Sequence, residues 1–523
     1  MEKNPDILTL VEKKKRTLPG LLFNRLTLVV VLLLLQVVVL LGLFLWFDRW
    51  LPSLYGASTI FSLLVILYLL NGRMDPTGKI TWLVVIMLLP VFGGLLYLFT
   101  ERDIGHRAMA RLMQKRSDES QLAIPQNPET MEKLREECPG AAAMARYIHR
   151  SGCFPVYENT NLTYFPLGED KFRQLILELQ KAEKFIFLEY FILAEGLMWG
   201  SVLKILAEKA AQGVEVRVMY DGTNEFTNLP HDYPRRLEKL GIRCKMFAPA
   251  SLMVSTHYNY RDHRKILVID GHTAFTGGIN LADEYINHKV LHGHWKDTAL
   301  MLKGEAVQSF TLMFLQMWCL DEKQADYQKY LNQPIPPAPP APGFVIPYGD
   351  CPLDRDKVGR QVYMDILNRA ERYVYIMTPY LILDGDMENA LIYAGERGVD
   401  VRIILPGIPD KISPYALAYT HYRRLLDAGV KVYQYTPGFV HAKVFLSDDR
   451  EAVVGTINLD YRSLYHHFEC AAYLYGTACL PDIARDFGET LQKCQRVTRE
   501  SMKQEPMIRK VMGPLLKAFA PLL

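Results

Sequence analysis

The sequence predicts an α/β protein of two tandem mixed-sheet lobes related by pseudo-twofold symmetry and preceded by amino-terminal transmembrane helices. Three observations predict it. HRKILVIDGHTAFTGGIN at 263–280 and HAKVFLSDDREAVVGTIN at 441–458 match at fixed offsets: His263, Lys265, Asp270, Gly277 and Asn280 against His441, Lys443, Asp448, Gly455 and Asn458. Upstream, KAEKFIFLEYFILAEG and EKAAQGVEVRVMYDG pair with RAERYVYIMTPYLILDG and YAGERGVDVRIILPG, each an aromatic and β-branched strand, a helix end and another buried strand, the alternation of a mixed sheet. The first hundred residues hold long apolar runs.

Residues 1–25 form a basic leader with Lys13, Lys14, Lys15, Arg16 and Arg25. The run at 26–47 is long enough to span a bilayer as a helix; those at 54–70 and 80–99 are shorter or interrupted by Pro90, Gly93 and Gly94. Region 26–100 is therefore expected to hold two to three hydrophobic helices, retained rather than cleaved as a signal peptide. The leader stays in the cytoplasm by the positive-inside tendency. Two crossings would leave the large domain inside and three outside, so sidedness stays open. Residues 101–150 read as a juxtamembrane connector whose basic stretch at 107–116 is a solvated helical face.

The first lobe is placed at 151–332 and the second at 348–500, separated by a stiff linker, 333–347, that contains QPIPPAPPAPG. The tail, 501–523, sets Arg509, Lys510 and Lys517 against Met507, Ile508, Val511, Leu515, Leu516 and Phe519, which suits either an anionic lipid surface or docking on the domain. Pro514 is expected to interrupt any long helix there.

Strand alternation projects His263 and Lys265 to one side, and Asp270-Gly271 supplies a two-residue hairpin turn. One such hairpin is ordinarily structural; two at the same spacing bring two imidazoles, two ammonium groups and the amides of Asn280 and Asn458 over one ligand. That set suits a phosphodiester, whose oxygens need cationic and neutral donors. One histidine attacks phosphorus and the other protonates the leaving alkoxide, leaving a phosphohistidine that a second hydroxyl opens. Each imidazole needs its other nitrogen held, and Asp297 in GHWKDTAL and Glu469 in HHFECAAY are the candidate orienting acids. Asp270 and Asp448 are grouped with the catalytic set by their place in the motif, but a turn aspartate fits hairpin geometry as well as catalysis, and the structural role is the favoured one. Tyr190 and Tyr380 occupy matching strand ends.

Other chemistries fit less well. The formal net charge of +3 gives no case for nucleic acid, and Cys138, Cys153, Cys244, Cys319, Cys351, Cys470, Cys479 and Cys494 show no metal-ligand spacing or disulfide framework. No metal and no cofactor are expected.

The paired motifs resemble the two HxKxxxxD signatures of the phospholipase D superfamily. RDHRK, GGINLADEY, PGFVHAK and GTINLDYRS, behind DPTGKITWLVVIMLLPVFGGLLY, are similar to bacterial cardiolipin synthases. The resemblance covers nearly the whole chain. It implies transfer of a phosphatidyl group between two phosphatidylglycerol molecules at the bilayer, giving cardiolipin and glycerol, with His263 as nucleophile and His441 as acid and base. Family members often carry Gly-Ser before the asparagine, where this chain has Gly277-Gly278 and Gly455-Thr456. A phospholipase D hydrolase would share every catalytic residue and differ in admitting water. The membrane runs favour the synthase and disfavour a nuclease, and the intact histidine and lysine pairs disfavour a scaffold.

Overall fold

The computed structural model describes residues 7–11, 38, 42, 55–72, 74–101, 104–248, 260–322, 326–331, 333–337 and 340–522. The first lobe contributes β1 (Asn161–Phe165), β2 (Phe185–Tyr190), β3 (Glu215–Asp221), β4 (Arg243–Phe247), β5 (Arg261–Asp262), β6 (Lys265–Ile269), β7 (Thr273–Gly277), β8 (His294–Lys296) and β9 (Ala299–Lys303). The second contributes β10 (Phe344–Asp350), β11 (Tyr373–Met377), β12 (Asp400–Pro406), β13 (Lys431–Tyr435), β14 (Gly438–Val440), β15 (Val444–Ser447), β16 (Glu451–Gly455), β17 (His467–Tyr475) and β18 (Cys494–Arg496).

The sequence repeat is a repeat of topology. The first sheet runs β1-β9-β7-β6-β2-β3-β4 and the second β10-β17-β16-β15-β11-β12-β13, with β18 added at its edge. In both, the β2–β3–β4 and β11–β12–β13 pairings are parallel and the pairings on the other side are antiparallel. Strand β2, FIFLEY, is buried throughout, which explains its continuous apolar and aromatic character. Its alternation still sorts the faces. Ile186 and Leu188 join Leu267, Trp199 and Leu203 in one core, whereas Phe185 and Phe187 join Ile266, Val268 and Phe314 in another. That second core also takes in Val345, Ile376 and Phe445, so it runs unbroken from one lobe into the other through the buried helix Val307–Trp318.

Two short parallel pairings stitch the lobes directly. Strand β5 lies beside the start of β17, and β8 lies beside β14. The hairpin loops are one residue longer than expected. Ile269 pairs with Thr273 and Ser447 with Glu451, leaving three-residue loops with Asp270 and Gly271 at φ +52° and +74° and Asp448 and Asp449 at +55° and +57°.

Several sequence boundaries shift. Strand β10 begins at Phe344 and so takes the last part of the expected linker; Pro347 is tolerated because β10 is the terminal strand of its sheet. The expected connector is part of the body: helices Pro128–Glu137 and Pro139–Gly152 bring Leu134, Ala141, Ala145 and Ile148 into the inter-lobe core. Arg116, expected on a solvated face, is 2% exposed and donates to Glu119 Oε2 at 2.6 Å and to the Glu322 carbonyl.

The run at 26–47 lies outside the described residues apart from Val38 and Gly42. The following runs form helices Tyr55–Asn71, Pro76–Leu88 and Pro90–Glu101, which share a small core of Val65, Leu69, Trp82, Ile86 and Tyr97. The chain doubles back at Pro90, so closely that a Cβ on Gly93 would meet the Val85 carbonyl at 2.7 Å. Among the described residues no helix is long and apolar enough to cross a membrane. Residues 7–11 dock on the first lobe: the Leu8 N–H donates to the Gly200 carbonyl at 3.0 Å, and Arg236 donates to the Leu10 carbonyl at 2.6 Å.

The tail helix Met507–Lys517 continues through Pro514 and lies against helix Ile412–Asp427, where a Cβ on Gly513 would stand 2.6 Å from the Ala416 carbonyl. It docks on the domain while Met507, Ile508, Val511 and Leu515 face outward.

Candidate active site

Each motif histidine is placed by a strand of the opposite lobe. Beside β17, the His263 N–H donates to the Phe468 carbonyl at 3.0 Å; beside β8, the His441 N–H donates to the Lys296 carbonyl at 2.7 Å. The residue after each of those carbonyls is the candidate acid. One backbone contact therefore sets an imidazole and a carboxylate side by side. His263 Nδ1 lies 2.9 and 3.0 Å from the two oxygens of Glu469, and His441 Nδ1 lies 2.6 Å from Asp297 Oδ2. The pairing is crossed: the acid of each lobe serves the histidine of the other.

Both acids are fully buried, and both histidines are nearly so. Burial pushes His263 well below the ordinary imidazole range against the pull of Glu469, and burial with the nearby Lys443 lowers His441 to about 4. Burial also pushes on Glu469, but His263 overrides it and keeps the carboxyl below its ordinary range. Lys265 and Lys443 donate to the carbonyls of His263 and His441, respectively. Burial lowers them to about 8 and about 7, and each lies in the field of both Glu469 and Asp297, so the two half-sites are electrostatically one. Buried cations depressed in this way regain protons when an anion arrives.

The structure gives Asp270, Asp448 and Asn280 protein partners of their own. Asp270 and Asp448, grouped with the catalytic set by sequence, sit at the far ends of β6 and β15. Asp270 accepts the N–H groups of Glu183, Lys184 and Phe185 at 2.7–2.9 Å; Asp448 accepts those of Glu371, Arg372 and Tyr373 at 2.8–2.9 Å. Each ties its hairpin to the neighbouring strand. Asp270→Ala is expected to cost about 3 kcal/mol through the stranded donors and the left-handed backbone, read as a lowered midpoint in thermal unfolding.

Asn280, expected on phosphate, accepts from the Ile192 N–H at 3.0 Å and donates to Tyr285 Oη at 2.7 Å, bracing the ring that edges His441. Asn458 keeps its Oδ1 buried without a hydrogen-bond partner. The Gly-Thr departure also acquires a role: Thr456 donates its hydroxyl to Glu469 Oε2, while a Cβ at Gly278 would stand 2.1 Å from Asp297 Oδ1. Glu469 is propped by a hydroxyl where Asp297 occupies cleared space. Tyr190 bonds to Lys171 Nζ and Tyr380 to Asp410.

Sequence reasoning missed Lys171, Arg264 and His467. Lys171 is fully buried, near Asp297 and Lys265, and lowered by burial to about 7. Arg264 pairs with Glu189 at 2.6 Å beneath the site. The ring of His467 lies 5.3 Å from that of His263. Only the doubled histidine in HHFECAAY signalled the last of these.

The family described as cardiolipin synthase, PLD-like domain matches residues 175–318 and 363–491, and the family described as phospholipase D-nuclease N-terminal matches 59–102. An uncharacterized protein of Streptococcus mutans is 57% identical over 458 residues, 88% of this chain and 99% of its own. A cardiolipin synthase of Halalkalibacterium halodurans is 32% identical over 509 residues, 96% of this chain and 100% of its own. The crystal structure of phosphatidylserine synthase from Haemophilus influenzae Rd KW20 matches with a TM-score of 0.55 at 15% identity, over 73% of this chain and 97% of that one, a likeness of fold.

Proposed function

We propose, from the premise that the chain belongs to the cardiolipin synthase family of phospholipase D-like phosphatidyltransferases, that it joins two phosphatidylglycerol molecules into cardiolipin and releases glycerol. The observation that carries this reading is the crossed pair of buried histidine–carboxylate contacts. With Glu469 accepting the Nδ1 proton, His263 presents an Nε2 lone pair to phosphorus. The P–O bond to glycerol breaks as the P–N bond forms, and His441 gives its proton to the departing alkoxide. His441, now a base, takes the proton of a terminal hydroxyl on the second phosphatidylglycerol; that oxygen attacks phosphorus and frees His263.

Lys265 and Lys443 each spend one N–H on a carbonyl and keep two for the phosphoryl oxygens. Asn458, whose buried Oδ1 has no hydrogen-bond partner, is the proposed amide contact to the phosphoryl group. Ammonium groups weakened by burial, which hold their protons more firmly once the anionic lipid arrives, suit a site that must also discharge an anionic product.

The apolar runs and the exposed face of the tail helix keep the site at the bilayer. Residues 7–11 rest on the first lobe, so the leader and the catalytic body lie on one side, the cytoplasmic side by the positive-inside tendency. Purified protein supplied with phosphatidylglycerol alone is expected to yield cardiolipin and glycerol in equal amounts. Phosphatidic acid as the main product would replace this reading with hydrolysis.

A further inference from the structure

The residue two places before each acid differs between the halves: Trp295 precedes Asp297, and His467 precedes Glu469. Around His441 the space is filled by rings, with Tyr285, Trp295 and Phe439 centred 5.4, 5.6 and 5.8 Å away. Around His263 it holds a second imidazole. His467 is 8% exposed, and neither of its ring nitrogens has a hydrogen-bond partner. Its Nδ1 stands 3.6 Å from Glu469 Oε1, beyond hydrogen-bond distance, and the same oxygen lies 2.9 Å from His263 Nδ1. One donor atom from each of His263, His467 and Glu469 lies within 4.8 Å of the others, the only such trio among the described residues.

A buried imidazole with no hydrogen bond at either nitrogen, whose Nδ1 has only a 3.6 Å ion-pair approach to Glu469, is costly unless a further group completes its surroundings. Separations of 2.9 and 3.6 Å about one carboxylate oxygen bracket the edge, roughly 3.3 Å, of a tetrahedron with metal–donor distances of about 2.0–2.1 Å. Two imidazoles and a carboxylate suit Zn²⁺, whereas Mg²⁺ prefers an octahedral oxygen shell.

We propose that His263, His467 and Glu469 form an inhibitory site for a borderline divalent cation of the Zn²⁺ type, with water in the fourth position. The inhibition rests on His263 being the nucleophile of the reaction above. A neutral imidazole has one ring lone pair. A cation on Nδ1 takes that pair and the ring proton moves to Nε2; a cation on Nε2 takes the attacking pair itself. Either way none is left for phosphorus. Among the described residues no third ligand of this kind joins His441 and Asp297, whose half is walled by Trp295, so the cation silences the site from one side.

The test uses full-length, metal-stripped protein in detergent micelles, titrated with Zn²⁺ against a chromophoric chelator, with cardiolipin formation followed in parallel. The eight cysteines bind Zn²⁺ as background, so the readout is wild type against His467→Asn, each relative to its own metal-free rate. One tight equivalent is expected in wild type, weaker by on the order of 100-fold in the variant, with inhibition tracking that equivalent and Mg²⁺ without effect. Tetrahedral Co²⁺ absorption should appear with wild type and not with the variant. His467→Gln, checked by near-ultraviolet circular dichroism, stands in if His467→Asn misfolds. No tight equivalent in wild type, one that persists in the variants, or an occupied wild type with undiminished transfer would each overturn the site. A protein that binds Zn²⁺ through His467 yet makes no cardiolipin without metal upholds the site and rejects the transferase.

Discussion

His263→Ala and His441→Ala will each lower cardiolipin formation by at least about 10⁴-fold, and the double variant will be little worse than either alone. In the proposed mechanism the two imidazoles act in series on one phosphorus, so removing the second from a broken relay takes away little more. The variants separate when the leaving group needs no proton. With a phosphatidyl ester of p-nitrophenol, His441→Ala should release nitrophenolate in a single burst and hold the phosphatidyl group on His263, detectable by mass spectrometry after alkaline quench. His263→Ala should give neither burst nor adduct. An adduct on residue 441 in the His263 variant would reverse the two roles.

Glu469→Gln and Asp297→Asn test the crossed contacts, each with an expected loss of about 10⁴-fold, because an amide favours the wrong imidazole tautomer while leaving shape intact. Their burst behaviour distinguishes them. Glu469 holds His263 at 2.9 Å, so Glu469→Gln should behave as His263→Ala and lose the burst. Asp297 holds His441 at 2.6 Å, so Asp297→Asn should trap the phosphatidyl adduct. The reverse assignment would mean that each acid serves the histidine of its own lobe.

The repeat in the sequence displayed much of this architecture, because equal offsets between chemical side chains survive only where equal strands carry them. The matched stretches became sheets of the same strand order, and Asp297 and Glu469 were legible from their place after the hairpins. The crossing was not legible. It depends on β5 meeting β17 and β8 meeting β14, contacts that join residues 206 and 144 positions apart and leave no local periodicity. Asp270 and Asp448 show the opposite limit: their spacing marked the motif, yet only the neighbouring strand reveals that their carboxylates hold backbone. Lys171 was invisible because a lone lysine at a helix start has no pattern, and its burial is imposed by the sheet above it. Pro514 did not end the tail helix: it stands on the exposed side of Met507–Lys517, while its neighbour Gly513 is buried against helix Ile412–Asp427 and holds the helix in place.

The crossed strands also impose an order on biosynthesis. A chain emerging from the ribosome completes its first sheet long before Glu469 is translated, and until then the imidazole at 263 lacks the carboxylate that orients it. The nascent first lobe therefore carries its histidine unpartnered, and the contact with Glu469 can form only when the late strand β17 settles beside β5.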